Sequence, residues 1–149
     1  MTTGGWVLLV SVLLAVGFGL YRLSVDGRFR GTHAVSGSGG SRPAAAAEPV
    51  EPLVPDHRLG ERATLLQFSS AFCAPCRATR RVLADIATAV PGVTHVELDA
   101  EHHLDLVRRV GVTRTPTTLV LDAAGREVTR AAGAPRKEQV LAALAGVEA

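Results

Sequence analysis

From Thr2 to Tyr21, in MTTGGWVLLVSVLLAVGFGLY, the chain holds no charged side chain. A helix through such a run is about long enough to cross the hydrocarbon core of a bilayer, which takes roughly 20 residues. Trp6 and Tyr21 stand near its two ends, where aromatic rings favour the headgroup interface. The run is apolar all round and terminal, which suits a domain core poorly. No Lys or Arg precedes it and no small-x-small site follows it directly, unlike a cleaved export signal. Residues 4–21 therefore read as a single uncleaved transmembrane helix. Arg22, Arg28 and Arg30 follow, with Asp26 the only acid among them. The positive-inside rule retains a flank of this kind, and with it the rest of the chain, on the cytoplasmic face.

The next stretch, GTHAVSGSGGSRPAAAAEPVEPLVPDHR, is rich in Gly and Ser in its first half and in Ala and Pro in its second. It offers little to bury and reads as a tether, flexible and then stiffer, mostly disordered between Thr32 and His57. Residues 22–58 are thus expected to link the membrane helix to a globular domain at 59–149. That domain holds both of the chain's cysteines. Nucleic acid is excluded as a partner: the net charge is only +2, no Lys/Arg tract forms, and four Phe, one Trp and one Tyr offer little stacking surface.

Within 59–149 the hydrophobic pattern yields an ordered set of elements. ATLLQFSS (63–70) is a short apolar run consistent with a buried strand. CAPCRATRRVLADIATAV follows as an amphipathic helix with Val82, Leu83, Ile86 and Val90 inward, stopped by Pro91-Gly92. VTHVELD (93–99) alternates as a second strand. HLDLVRRV (103–110) is a short helix with Leu104, Val107 and Val110 on one face, ended by Gly111. TPTTLVLD (115–122) and REVTRAAG (126–133) flank the turn AAG as a hairpin. A last helix starts near Pro135 with Val140, Leu141, Leu144 and Val147 as its inner stripe. The order β-α-β-α-β-β-α calls for a four-stranded mixed α/β sheet with helices on both faces.

Cys73 and Cys76 sit at C-x-x-C spacing directly after the first strand. A three-residue loop gains little chain entropy from closure, so a purely structural bridge is disfavoured. Zinc needs about four ligands; a second C-x-x-C is absent, and the adjacent His102 and His103 point in different directions on a short helix. At the start of a helix, free N–H groups and the dipole favour the Cys73 thiolate and should lower its pKa. Cys73 is then the nucleophile toward a disulfide, and Cys76, one turn inside, resolves the mixed disulfide. Pro75 suits the first turn, where a missing N–H costs little.

FCAPC after an apolar strand, TPT some forty residues on and then GREVTRAAG resemble the thioredoxin superfamily, over roughly residues 65–144. The resemblance implies a thioredoxin-like fold and thiol–disulfide oxidoreductase activity with no cofactor beyond the redox-active Cys73–Cys76 pair, and no metal. It implies that Pro116 is cis and faces the cysteines, that the Thr115 backbone pairs with bound substrate, and that Gly133 borders the substrate groove. Phe72, Ala74 and Pro75 complete the expected substrate contacts. Phe72 stands where these proteins usually have Trp, and Ala74-Pro75 replaces the usual Gly-Pro. Gln67 occupies the place of a buried aspartate that helps deprotonate the second cysteine, and His95 on the neighbouring strand is a candidate substitute. Arg77, Arg80 and Arg81 read as a solvated helix face.

The implied role is a membrane-tethered reductase of protein disulfides, with disulfide or dithiol client proteins and a separate electron donor as partners. The alternative is a membrane-bound redox sensor or binding module that uses the same fold without turnover.

Overall fold

The computed structural model of the chain describes residues 3–25, 27–31 and 59–147. The segment expected to be disordered, 32–57, lies outside the described residues. Helix α1 spans Thr3–Val25. Within it Gly4–Arg22 has a mean hydropathy of 2.0 with no side chain buried. Leu14 is 69% exposed, and the apolar side chains of this helix from Trp6 to Leu20 stand exposed among the described residues.

The expected elements of the globular part appear in the expected order: β2 Ala63–Ser69, α2 Ala74–Ala89, β3 Val93–Asp99, α3 Leu104–Val110, β4 Thr117–Asp122, β5 Glu127–Ala132 and α4 Lys137–Ala145. Strands β2 and β3 run parallel with Ala63 opposite Val93, as the α2 crossover between them requires. Strand β4 pairs antiparallel with β2, and β5 with β4.

One element was not expected. Phe29–Gly31, inside the stretch read as linker, forms strand β1 and pairs antiparallel with β5, Phe29 opposite Ala131 and Gly31 opposite Thr129. The sheet therefore has five strands among the described residues, in the order β1-β5-β4-β2-β3. Within the stretch read as linker, α1 runs on to Val25, and the chain joins the sheet four residues later.

Alternation along the central strands sorts the core into two layers. Leu66 and Phe68 of β2, Val96 and Leu98 of β3, and Leu119 and Leu121 of β4 meet Leu106 of α3. On the other face Ala63, Leu65, Val93 and Val120 meet Leu83 and Ile86 of α2, with Val140, Leu144 and Val147 from α4 and the residues after it. All seven residues of β2 are buried, so its terminus delivers the cysteine loop from a rigid support.

Two inner stripes differ from expectation. In α3 the buried residue is Leu106, 5% exposed, while Leu104 is 50% exposed. Residues spaced three apart drift around a 3.6-residue turn, whereas 106, 107 and 110 follow the tighter i, i+1, i+4 pattern of one face. In α4 Leu141 is 39% exposed; the helix is anchored by Val140 and Leu144, four apart on one side.

Candidate active site

The cysteine loop is built at the C-terminal end of β2. Cys73 is the N-cap of α2, in extended conformation, with Pro75 in the first turn. Its sulfur accepts a hydrogen bond from the Cys76 backbone N–H at 3.1 Å. Its carbonyl accepts from Cys76 N–H at 3.1 Å and from Arg77 N–H at 3.4 Å. A C-x-x-C at a helix start thus directs one backbone N–H of the first turn, that of Cys76, at the Cys73 sulfur. The two sulfurs are joined, 2.01 Å apart, with Cα atoms 5.2 Å apart. Cys73 is half-buried and Cys76 is 2% exposed, so attack from solvent must come at Cys73.

The loop before β4 comes to the same end of the sheet. The Thr115–Pro116 peptide bond is cis, and Pro116 is buried. The hydroxyls of Ser70, three residues before Cys73, and Thr115 lie 3.2 Å apart, tying the two loops together. The Thr117 hydroxyl donates to the Arg114 carbonyl at 2.7 Å and braces the loop from behind. Gly133 donates its N–H to the Pro116 carbonyl at 2.8 Å, with φ of 100°, a backbone that favours glycine. Ser70 could have been flagged only by its nearness to the cysteines.

On the outer rim Phe72 is 98% exposed, and Ala74 and Pro75 are exposed beside it. A Phe this bare contributes nothing to the fold and leaves its ring free for contact with another molecule.

Beneath Cys76 the floor is polar. Gln67 is fully buried, and its amide nitrogen donates to the Cys76 carbonyl at 3.0 Å. Its amide oxygen lies 3.2 Å from His95 Nε2. With the Gln67 nitrogen already engaged, its oxygen is the acceptor and His95 carries the proton on Nε2. Thr79 and Thr118 add two buried hydroxyls with no partner among the described residues.

Burial pushes the His95 imidazole below its ordinary pKa; Glu97 pulls it upward and Arg80 pulls it further down. For Glu97, burial works to raise the carboxyl, but hydrogen bonds from Arg80 and Ser69 outweigh it and hold the group below its usual value. Ser69 donates to Glu97 at 2.6 Å and Arg80 at 2.8 Å. Arg80 is therefore tied to β3 rather than simply solvated, while Arg77 and Arg81 are exposed. His102 sits 3.3 Å from Asp99, and among the described residues no cluster of His, Cys, Asp or Glu is arranged to hold a metal ion.

A C-x-x-C pair at a helix start, next to a cis-proline loop at the end of a mixed α/β sheet, defines a thiol–disulfide oxidoreductase. The Thioredoxin family profile matches residues 56–146, and the chain belongs to that family. A thioredoxin from Alicyclobacillus acidocaldarius is 35% identical over 89 residues, 59% of this chain and 84% of its own. Thioredoxin H-type 1 of Nicotiana tabacum is 31% identical over 78 residues, 52% of this chain and 61% of its own. Among solved structures, Fasciola hepatica thioredoxin shares the fold with a TM-score of 0.55 at 22% identity, over 66% of this chain and 91% of that one. Members of this family exchange disulfides through their own cysteine pair and need no cofactor.

Proposed function

We propose that the chain is a membrane-tethered reductase of protein disulfides, with residues 4–21 spanning the bilayer and 59–149 carrying the chemistry. The observation that carries the site assignment is the Cys73 sulfur receiving the Cys76 N–H at the start of α2 while Cys76 itself is enclosed. In the reduced chain that donor and the helix dipole stabilise a Cys73 thiolate. The thiolate attacks one sulfur of a client disulfide; that S–S bond breaks, and the departing client thiolate takes a proton from solvent. Cys76 loses its proton and attacks the Cys73 sulfur. This forms the Cys73–Cys76 bond and frees the second client thiolate, so two electrons have passed from chain to client. A partner dithiol or reductase then restores the pair.

Thr115 and Pro116 supply the docking element, with the Thr115 backbone pairing with the client segment. Phe72, Ala74, Pro75 and Gly133 form the rim of the groove. The basic residues at the C-terminal end of α1 and just beyond it, Arg22 in its last turn and Arg28 after it, favour the cytoplasmic face, where a reducing pool keeps such a pair supplied with electrons.

Replacement of the resolving thiol tests the assignment. Cys76→Ser is expected to abolish multiple turnover and to accumulate a mixed disulfide at Cys73, detectable by mass, while Cys73→Ser forms none. Retained activity in Cys76→Ser, or trapping at neither position, would overturn the roles. Retained partner binding with no turnover in the unaltered chain would favour the sensor.

A further inference from the structure

The unexpected strand β1 has a direction, and the direction matters. It runs antiparallel to β5, so its first residues lie beside the last residues of β5. The Gly27 N–H donates to the Ala132 carbonyl at 3.1 Å. Gly27 also has φ of 74°, and a Cβ there would stand 2.3 Å from the Ala134 oxygen and 2.9 Å from Pro135 N. The backbone is thus pressed against residues 132–135 at a point that only glycine fits without displacement. Gly133, in the middle of that stretch, is the residue bonded to Pro116. The same end of the sheet carries the close of β2 and the cysteine loop that follows it.

Helix α1 ends at Val25, two residues before Gly27. Two peptide steps of 3.8 Å span at most about 8 Å. The C-terminal end of the apolar helix is therefore held within about one helix diameter of the rim of the redox site. Had β1 run parallel to β5, the helix would have met the sheet at the end away from the cysteines. The segment 32–58 joins β1 to β2 rather than α1 to the domain, so its length adds nothing to the reach of the site.

We infer that the docked β1 clamps the Cys73 site against the membrane surface and restricts its clients to disulfides within about one domain radius of the bilayer, as in juxtamembrane segments of membrane proteins. This rests on the reading of α1 as a membrane span. A long tether would instead let the domain sweep a wide shell and reduce disulfides in freely diffusing proteins equally well.

The test uses the full chain in vesicles of phosphatidylcholine and phosphatidylglycerol, with dithiothreitol as reductant. The probe is a single-span peptide carrying a fluorogenic disulfide loop, either at the lipid surface or raised on a rigid helical spacer of about 40 Å. With β1 docked, the reduction rate is expected to fall about tenfold or more on the raised probe, because its local concentration at the site collapses. A flexible Gly/Ser insert of about 20 residues between Val25 and Gly27 leaves the strand intact and gives the domain roughly 25 Å of play. That variant is expected to reduce both probes at rates within about threefold of each other, while its rate on a small soluble disulfide stays unchanged. Gly27→Val, which undocks the strand, is expected to flatten the profile in the same way. Equal rates on both probes with the unaltered chain, or an insert that leaves the tenfold difference in place, would overturn the clamp. Flotation of the vesicles separates the two levels. A chain that does not float removes the membrane reading and the clamp with it; a chain that floats but shows a flat profile removes only the clamp.

Discussion

Gln67 sets a fully buried neutral amide beneath Cys76, and Gln67→Leu isolates what that amide does. Leu fills nearly the same volume, so little cavity is opened and the change is mainly the loss of two hydrogen bonds. One runs to the Cys76 carbonyl at 3.0 Å and the other to His95 at 3.2 Å. The Cys76 carbonyl lies within α2 and keeps its helical acceptor role, so only its second bond is lost. His95 is half-buried and regains some hydration, so its loss is also partial. At roughly 0.5–1.5 kcal/mol net per bond, and with added apolar burial offsetting part of it, the variant should lose about 1–2 kcal/mol of stability. For a domain of this size that is a fall of roughly 5–15 °C in Tm. The assay is thermal unfolding of the oxidised full chain in mild detergent, followed by near-ultraviolet circular dichroism. Resolution of a mixed disulfide by Cys76 should slow in the same variant, read by stopped-flow quenching, because the carbonyl of the resolving residue loses its anchor. A Tm equal to or above that of the unaltered chain would refute the claim that Gln67 braces Cys76.

Other outcomes follow from the same geometry. Phe72→Ala should leave stability within about 0.5 kcal/mol, because the ring is 98% exposed, while raising KM for a protein disulfide more than it lowers kcat. Leu106→Ala should cost about 2–5 kcal/mol and Leu104→Ala less than about 0.5, measured by thermal unfolding; similar costs would contradict the observed face of α3. Acid should weaken the fold. The folded-state pKa of His95 is depressed, so between that value and about 6.5 the unfolded chain binds more protons, and stability falls as pH drops through this window. Glu97, also depressed, adds a further loss as pH falls below its ordinary carboxylate range. His95→Asn should flatten the upper part of this profile; an unchanged slope between pH 5 and 7 would remove His95 as its source.

The parts of the molecule legible in the sequence are those with a strong local signature. The buried strand before Cys73, the break at Pro91-Gly92 and the C-x-x-C spacing each have a physical reason to appear in one-dimensional form. Thr115 and Pro116 stand out through the family resemblance rather than through a local pattern, and the bond between them is cis. The rest depends on tertiary contact. Phe29–Gly31 is too short and too basic in its surroundings to show a strand period, and it exists only because β5 offers a free edge and Gly27 fits against Ala134. The short helix at 104–110 has apolar residues at 104, 106, 107 and 110, enough to draw two competing faces; the sheet chose the one through Leu106. The bond from Gln67 to Cys76 bridges strand and helix, and only the packing of α2 on β2 reveals it.

The most direct measurement is the reduction potential of the Cys73–Cys76 pair in the full chain, by equilibration with a graded dithiol buffer and alkylation of the free thiols. A single two-electron couple near about −270 mV is the expected result for a reductase of this family. A couple near about −120 mV would mark an oxidant instead, and the absence of any reversible couple would contradict thiol–disulfide exchange at this site altogether.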